Sequence, residues 1–146
     1  MNKLMVMMML MFVSYPALAD TSIEIGSGIR YTNGIPVFVI QDVKKIQVIA
    51  GGWYASDRSN LLAGIQKGFH YKRLRFDIGA VYLRDKNERI GTHMNFTIAA
   101  FYHFNKKRYA GYRHFSNGDK IFDNENNYGR DGKNLGEDFG LLGFTF

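Results

Sequence analysis

The chain contains no cysteine. That excludes a disulfide framework and a thiolate metal site. Beyond Ala19 it also lacks helical periodicity, and no apolar run there approaches the ~20 residues of a spanning helix. Asp119–Glu125 is rich in carboxylates, but its spacing matches no EF-hand loop, so no dedicated metal site is expected. A small chain with neither disulfides nor helices needs another source of stability. A sheet closed on itself supplies one, because closure removes every exposed strand edge.

Met1 to Ala19 reads as a secretory signal. Lys3 gives the positive start, Leu4 to Val13 is apolar throughout, and Ala17-Leu18-Ala19 has the small-x-small cleavage pattern. Cleavage after Ala19 would leave Asp20–Phe146, 127 of the 146 residues and enough for one domain. Setting Lys3 aside leaves 18 basic against 13 acidic residues, a formal charge of +5. That charge suits anionic partners such as lipid phosphates, and export argues against nucleic acid.

What is present is β-strand pattern. Short runs rich in Ile, Val, Phe and Tyr alternate with Gly, Asn, Asp and Lys clusters. The runs predict eight strands: Ser22–Tyr31, Ile35–Gln41, Lys45–Tyr54, Leu61–Tyr71, Leu74–Leu83, Thr92–Phe104, Arg108–Ser116 and Leu135–Phe146. Pro36 is tolerable at the start of the second. In the fifth, Leu74, Phe76, Ile78, Ala80 and Tyr82 share one face, as Met94, Phe96, Ile98, Ala100, Tyr102 and Phe104 do in the sixth. Apolar residues outward with polar or small ones inward is the pattern of a transmembrane β-barrel. A soluble sandwich alternates in the same way, but export favours the barrel.

The expectation is therefore an all-β, eight-stranded antiparallel transmembrane barrel behind a cleaved signal peptide, in the bacterial outer membrane. Tyr31, Trp53, Tyr54, Tyr71, Tyr82, Tyr102, Phe104, Tyr109 and Tyr112 are candidates for its two aromatic girdles. The final Leu142-Gly143-Phe144-Thr145-Phe146 resembles the aromatic-terminated last strand of such barrels. Asp42-Val43-Lys44, Lys72-Arg73 and Asn105-Lys106-Lys107 fit short periplasmic turns, and Ala55–Asn60, Arg84–Gly91 and Asn117–Asn134 fit longer outer loops. Eight strands leave an interior filled by side chains, which argues against a pore.

Strand counting then places His114-Phe115-Ser116-Asn117 at the outer rim. Arg113 is costly in lipid, so it belongs inside with Gly111 and Phe115. Ala110, Tyr112, His114 and Ser116 then face outward. An imidazole and a hydroxyl two residues apart on one face make a candidate base and nucleophile, and a substrate met there is an outer-leaflet lipid. His70, His93 and His103 read as interfacial polar residues.

His-x-Ser-Asn at the top of the penultimate strand of such a barrel resembles the lipid A 3-O-deacylases, the PagL-like or acyloxyacyl hydrolase family. The resemblance is specific over Tyr112–Phe146 and architectural elsewhere. It implies a serine esterase acting on an ester-linked acyl chain of lipid A in lipopolysaccharide. Ser116 would be nucleophile, His114 general base, and Asn117 with Gly118 the oxyanion region. The family's glutamate position is taken by Asn134, within Arg130-Asp131-Gly132-Lys133-Asn134. Glu137 and Asp138 are the alternatives for the third member. Parity puts Glu137 inside, and Asp138 lies four residues, about 13 Å, further down the strand than Asn134. Lys120, Arg130 and Lys133 are candidates for contacting lipid A phosphates. The chemistry requires no cofactor. A non-catalytic barrel, structural, adhesive or an inactive deacylase relative, is the competing function, and a homodimer stays open.

Overall fold

A computed structural model describes residues 20–29, 32–56, 59–86, 90, 92–116 and 136–146. Met1 to Ala19, the segment expected to be a signal peptide, lies outside the described residues. Eight strands follow in chain order: β1 (Thr21–Gly28), β2 (Ile35–Val43), β3 (Ile46–Tyr54), β4 (Asn60–Tyr71), β5 (Leu74–Leu83), β6 (Met94–His103), β7 (Arg108–Ser116) and β8 (Glu137–Thr145). Each pairs antiparallel with the next, and β8 returns to β1 from Ser22↔Thr145 to Gly28↔Phe139. The barrel is therefore closed, with no free edge.

Alternation sorts the side chains. On β7, Tyr109, Arg113 and Phe115 are buried inside, whereas Ala110, Tyr112, His114 and Ser116 face out. The interior is packed in two layers. Near the end that carries Ser116, Phe38, Trp53, Phe115 and Phe139 form an aromatic cluster with centroids 5.2 to 6.1 Å apart. Towards the opposite end two guanidiniums meet two carboxylates. Arg75 lies 2.8 Å from Glu24 and 3.0 Å from Asp77, and Arg113 lies 3.1 and 3.2 Å from the same two. Arg113 also donates to Gln66 and Thr97. The cluster is charge-neutral and densely hydrogen-bonded, as buried charges must be.

The outer surface is apolar, with Ile65, Ile78, Phe96, Ile98 and Leu142 each more than half exposed. Exposed Tyr54 and Tyr82 ring one end of this belt, and Tyr71, Tyr102 and Phe104 ring the other. Tyr82 and Leu74, the partner of Tyr102, are eight residues apart on β5. That is about 27 Å of strand, or about 20 Å along the barrel axis at a tilt of about 40°. Two girdle assignments are corrected. Trp53 and Tyr109 are 3% and 1% exposed and fill the interior. Their parity shows why: Trp53 shares the face of Ile49, and Tyr109 shares the face of Arg113. Tyr31 lies outside the described residues. His103 stacks on Tyr109 at 4.8 Å, so it too belongs with the interior set.

The expected first turn is also corrected. Asp42 and Val43 belong to β2, paired with Gln47 and Ile46, and the turn is Lys44-Lys45. Lys72-Arg73 makes the equivalent turn between Tyr71 and Leu74. β6 ends at His103, and residues 104–107 connect it to β7. All three turns lie at the end opposite Ser116.

Candidate active site

β7 carries the dyad outward because the residues between face in. Arg113 and Phe115 are fully buried, locked into the ion cluster and the aromatic cluster respectively. That fixes His114 and Ser116 on the outer face, their Cα atoms about 6.7 Å apart along the strand.

β8 supplies the partner. His114 is opposite Asp138 in register, and its Nδ1 lies 2.8 Å from Asp138 Oδ1. An ionised carboxylate only accepts hydrogen bonds, so Nδ1 carries the proton and Nε2 keeps the free lone pair. Nε2 is the nitrogen a general base needs. The same Oδ1 accepts a hydrogen bond from the Tyr112 hydroxyl, which rises from one strand pair below. The Asp138 backbone is pinned from its other side. Its N–H donates to Thr32 Oγ1 at 2.9 Å, and its carbonyl accepts from the Ile29 N–H at 3.0 Å. Asp138 is 4% exposed, so the His114 and Tyr112 donors to its carboxylate replace the water it would otherwise require.

Gly136 completes the pocket around the imidazole. A Cβ there would lie 2.2 Å from the Phe115 carbonyl oxygen, 2.7 Å from His114 Cε1 and 3.1 Å from His114 Nε2. Its φ of +74° also disfavours a side chain. One step beyond the Phe115↔Glu137 pair, Gly136 is level with Ser116. The edge of the ring bearing Nε2 is thus turned towards the level of the serine. On the other side, exposed Phe96 and Ile98 are the register partners of Ser116 and His114. The dyad is therefore bordered by apolar wall suited to an alkyl chain.

The candidates for the third member now separate. Asp138 is the carboxylate that bonds His114. Glu137 is 1% exposed, faces the interior and accepts from Thr32 Oγ1 at 2.8 Å, so it is not beside the imidazole. Asn134 lies outside the described residues, as do Asn117, Gly118, Lys120, Arg130, Lys133 and the Asp119–Glu125 segment. Tyr112, Thr32 and Gly136 are contributors that sequence reasoning missed. Parity gives a signal for Tyr112, which shares the face of His114. Thr32 is 106 residues from Asp138 in sequence and carries no local signal.

No family model matches the chain, and comparisons with curated proteins and with solved structures likewise found no match. The reading of the site therefore stands on its geometry.

Proposed function

We propose that the protein is an outer-membrane esterase that removes an ester-linked acyl chain from lipid A, with Ser116 as nucleophile, His114 as base and Asp138 as the orienting carboxylate. One observation carries this reading: the 2.8 Å contact from His114 Nδ1 to Asp138, on the outward face that also bears Ser116. Of the candidates for third member, Asp138 is the one with both the charge and the geometry the role needs.

The exposed belt supports the membrane setting. An exposed apolar belt of this extent is untenable in water, and its height of about 20 Å is close to the ~25 Å band of known barrels. A filled interior supports a catalytic or structural role rather than a pore.

The steps follow from the site. His114 Nε2 takes the Ser116 proton as Oγ attacks the ester carbonyl carbon. The tetrahedral oxyanion forms, stabilised by N–H donors that the resemblance assigns to the region of Asn117 and Gly118. One good donor is worth about 3 kcal/mol. Collapse breaks the carbon–oxygen bond to the sugar, and His114 returns the proton to the departing alkoxide. Water, deprotonated by His114, then attacks the acyl-serine; the acyl carbon–Oγ bond breaks to release the fatty acid, and His114 returns the proton to Ser116 Oγ. Asp138 stabilises the imidazolium present after each proton transfer. The Tyr112 hydroxyl donates to that carboxylate, and Thr32 Oγ1 holds the Asp138 backbone by accepting from its N–H.

The test is mass spectrometry of lipid A from cells expressing the wild type, Ser116→Ala or His114→Ala. The expected result is loss of one acyl chain in the wild type alone. Unchanged lipid A with a correctly inserted wild-type barrel would reject the esterase and leave a non-catalytic structural barrel.

A further inference from the structure

The three turns at the end opposite the active site are built almost wholly of cations. Lys44 and Lys45 join β2 to β3, Lys72 and Arg73 join β4 to β5, and Lys106, Lys107 and Arg108 lead into β7. All seven are exposed, and among the described residues none lies within 4.0 Å of a carboxylate. Asp42, the nearest acid in sequence to the first turn, accepts from Gln47 Nε2 instead.

From Asp20 onward the chain has 18 cations and 13 carboxylates. Remove these seven cations together with Asp20 and Asp42, the acids at the same end, and eleven of each sign remain. These seven cations with Asp20 and Asp42 sum to +5, the same as the formal charge of the whole chain from Asp20 onward. Conformation adds a second observation. Lys44 and Lys72 have φ of +57° and +55°. Glycine or asparagine is the usual residue there, and a lysine costs about 1 kcal/mol or more. Lysine occupies both positions nonetheless.

The aromatics fix the level of this charge. Lys72 Nζ lies 5.4 Å from the centroid of Tyr71, and Arg73 Nη1 donates to the Tyr102 hydroxyl at 3.2 Å. Tyr71, Tyr102 and Phe104 are the girdle of this end, and such girdles sit at the headgroup layer of a bilayer. The cations therefore lie where lipid phosphates are.

We propose that the turn end of the barrel is a binding surface for anionic glycerophospholipid headgroups, which the seven cations hold as a ring around the base. This rests on the membrane-barrel part of the proposed function and is independent of the esterase chemistry. In this arrangement the two ends divide the work: the outer rim meets its substrate through an apolar wall, and the base is anchored by charge.

The test uses the full folded protein in neutral detergent micelles. Native mass spectrometry counts the lipids retained as phosphatidylglycerol or phosphatidylcholine is titrated in. Wild type is expected to retain phosphatidylglycerol at roughly tenfold lower concentration than phosphatidylcholine. The preference should collapse in 1 M salt, where the screening length falls to about 3 Å. A variant with Lys44, Lys45, Lys72, Arg73, Lys106 and Lys107 all changed to Gln should lose it. A control with Arg84 and Lys86 changed to Gln should keep it. Heat-dependent gel mobility verifies that both variants hold a closed barrel. If the sixfold variant fails to fold, the pairs Lys44→Gln with Lys45→Gln and Lys72→Gln with Arg73→Gln, each expected to lower the preference, decide the matter. Equal retention of the two lipids, or a preference that survives in the turn variant, would overturn the proposal. So would turn-dependent binding of purified lipid A, or of peptidoglycan sacculi, in place of phosphatidylglycerol. Lipid A deacylation in micelles should be the same in wild type and the turn variant, so failure here and failure of the esterase reading are separate outcomes.

Discussion

Asp138→Asn isolates the charge of the orienting carboxylate from its shape. The substitution is isosteric, and the amide oxygen retains an acceptor for the His114 Nδ1 proton that the carboxylate meets at 2.8 Å. What disappears is the negative charge beside the imidazolium that the proposed proton transfer would form. Charge centres about 4 Å apart at an effective dielectric of about 20 interact by about 4 kcal/mol. The His114 side chain is 27% exposed, so water reduces this. A loss of about 3 kcal/mol in transition-state stabilisation predicts a rate lower by roughly 10² to 10³-fold. The assay is the initial rate of fatty-acid release from purified lipid A in detergent, with heat-dependent gel mobility verifying the fold. Asn134→Ala serves as the comparison. Full activity in Asp138→Asn combined with inactivity in Asn134→Ala would refute the assignment and return the third role to the amide.

Four further outcomes follow from the same geometry. Tyr112→Phe removes one donor from Asp138 Oδ1 without altering the ring, and should slow hydrolysis by about tenfold while leaving membrane insertion unchanged. Gly136→Ala drives a methyl group into the Phe115 carbonyl and the His114 ring, so activity should fall by at least about tenfold, and the added φ strain should cost about 1–2 kcal/mol in urea unfolding. Glu137→Gln should leave the chemistry nearly intact, because that side chain faces the interior and Thr32 rather than His114. Arg113→Met strips a neutralising cation from Glu24 and Asp77 and should destabilise the barrel by about 3–5 kcal/mol, read as an earlier urea midpoint in detergent.

Much of the fold was legible because alternation is a local property. β5 and β7 have the bounds that the pattern predicts, and the remaining strands differ by a residue or a few at their ends. Arg113 faces inward, as the cost of a guanidinium in lipid requires. The aromatic girdles were legible only in part. An aromatic near a strand end suits either a headgroup layer or the inside of a narrow barrel, and parity alone separates the two. Trp53 and Tyr109 went to the interior on that ground. The boundary of the first turn was misplaced because Asp42 and Val43 resemble turn and strand residues equally, and the pairing with Gln47 and Ile46 decided it.

The sequence by itself determined which residues alternate, how many strands they make, and that His114 and Ser116 share an outward face. It did not determine what stands opposite them. A two-residue turn such as Lys72-Arg73 fixes the register of its hairpin, so Tyr71↔Leu74 can be read from the chain alone. Between Ser116 and Glu137 the chain has twenty residues, and a connection of that length sets no register. Sequence spacing therefore favoured Asn134 over Asp138. Closing β8 between β7 and β1 decided otherwise. Pairs such as Arg113↔Phe139 and Gly28↔Phe139 fix the height of the last strand from both sides. Asp138 then falls opposite His114, where its carboxylate can orient the imidazole.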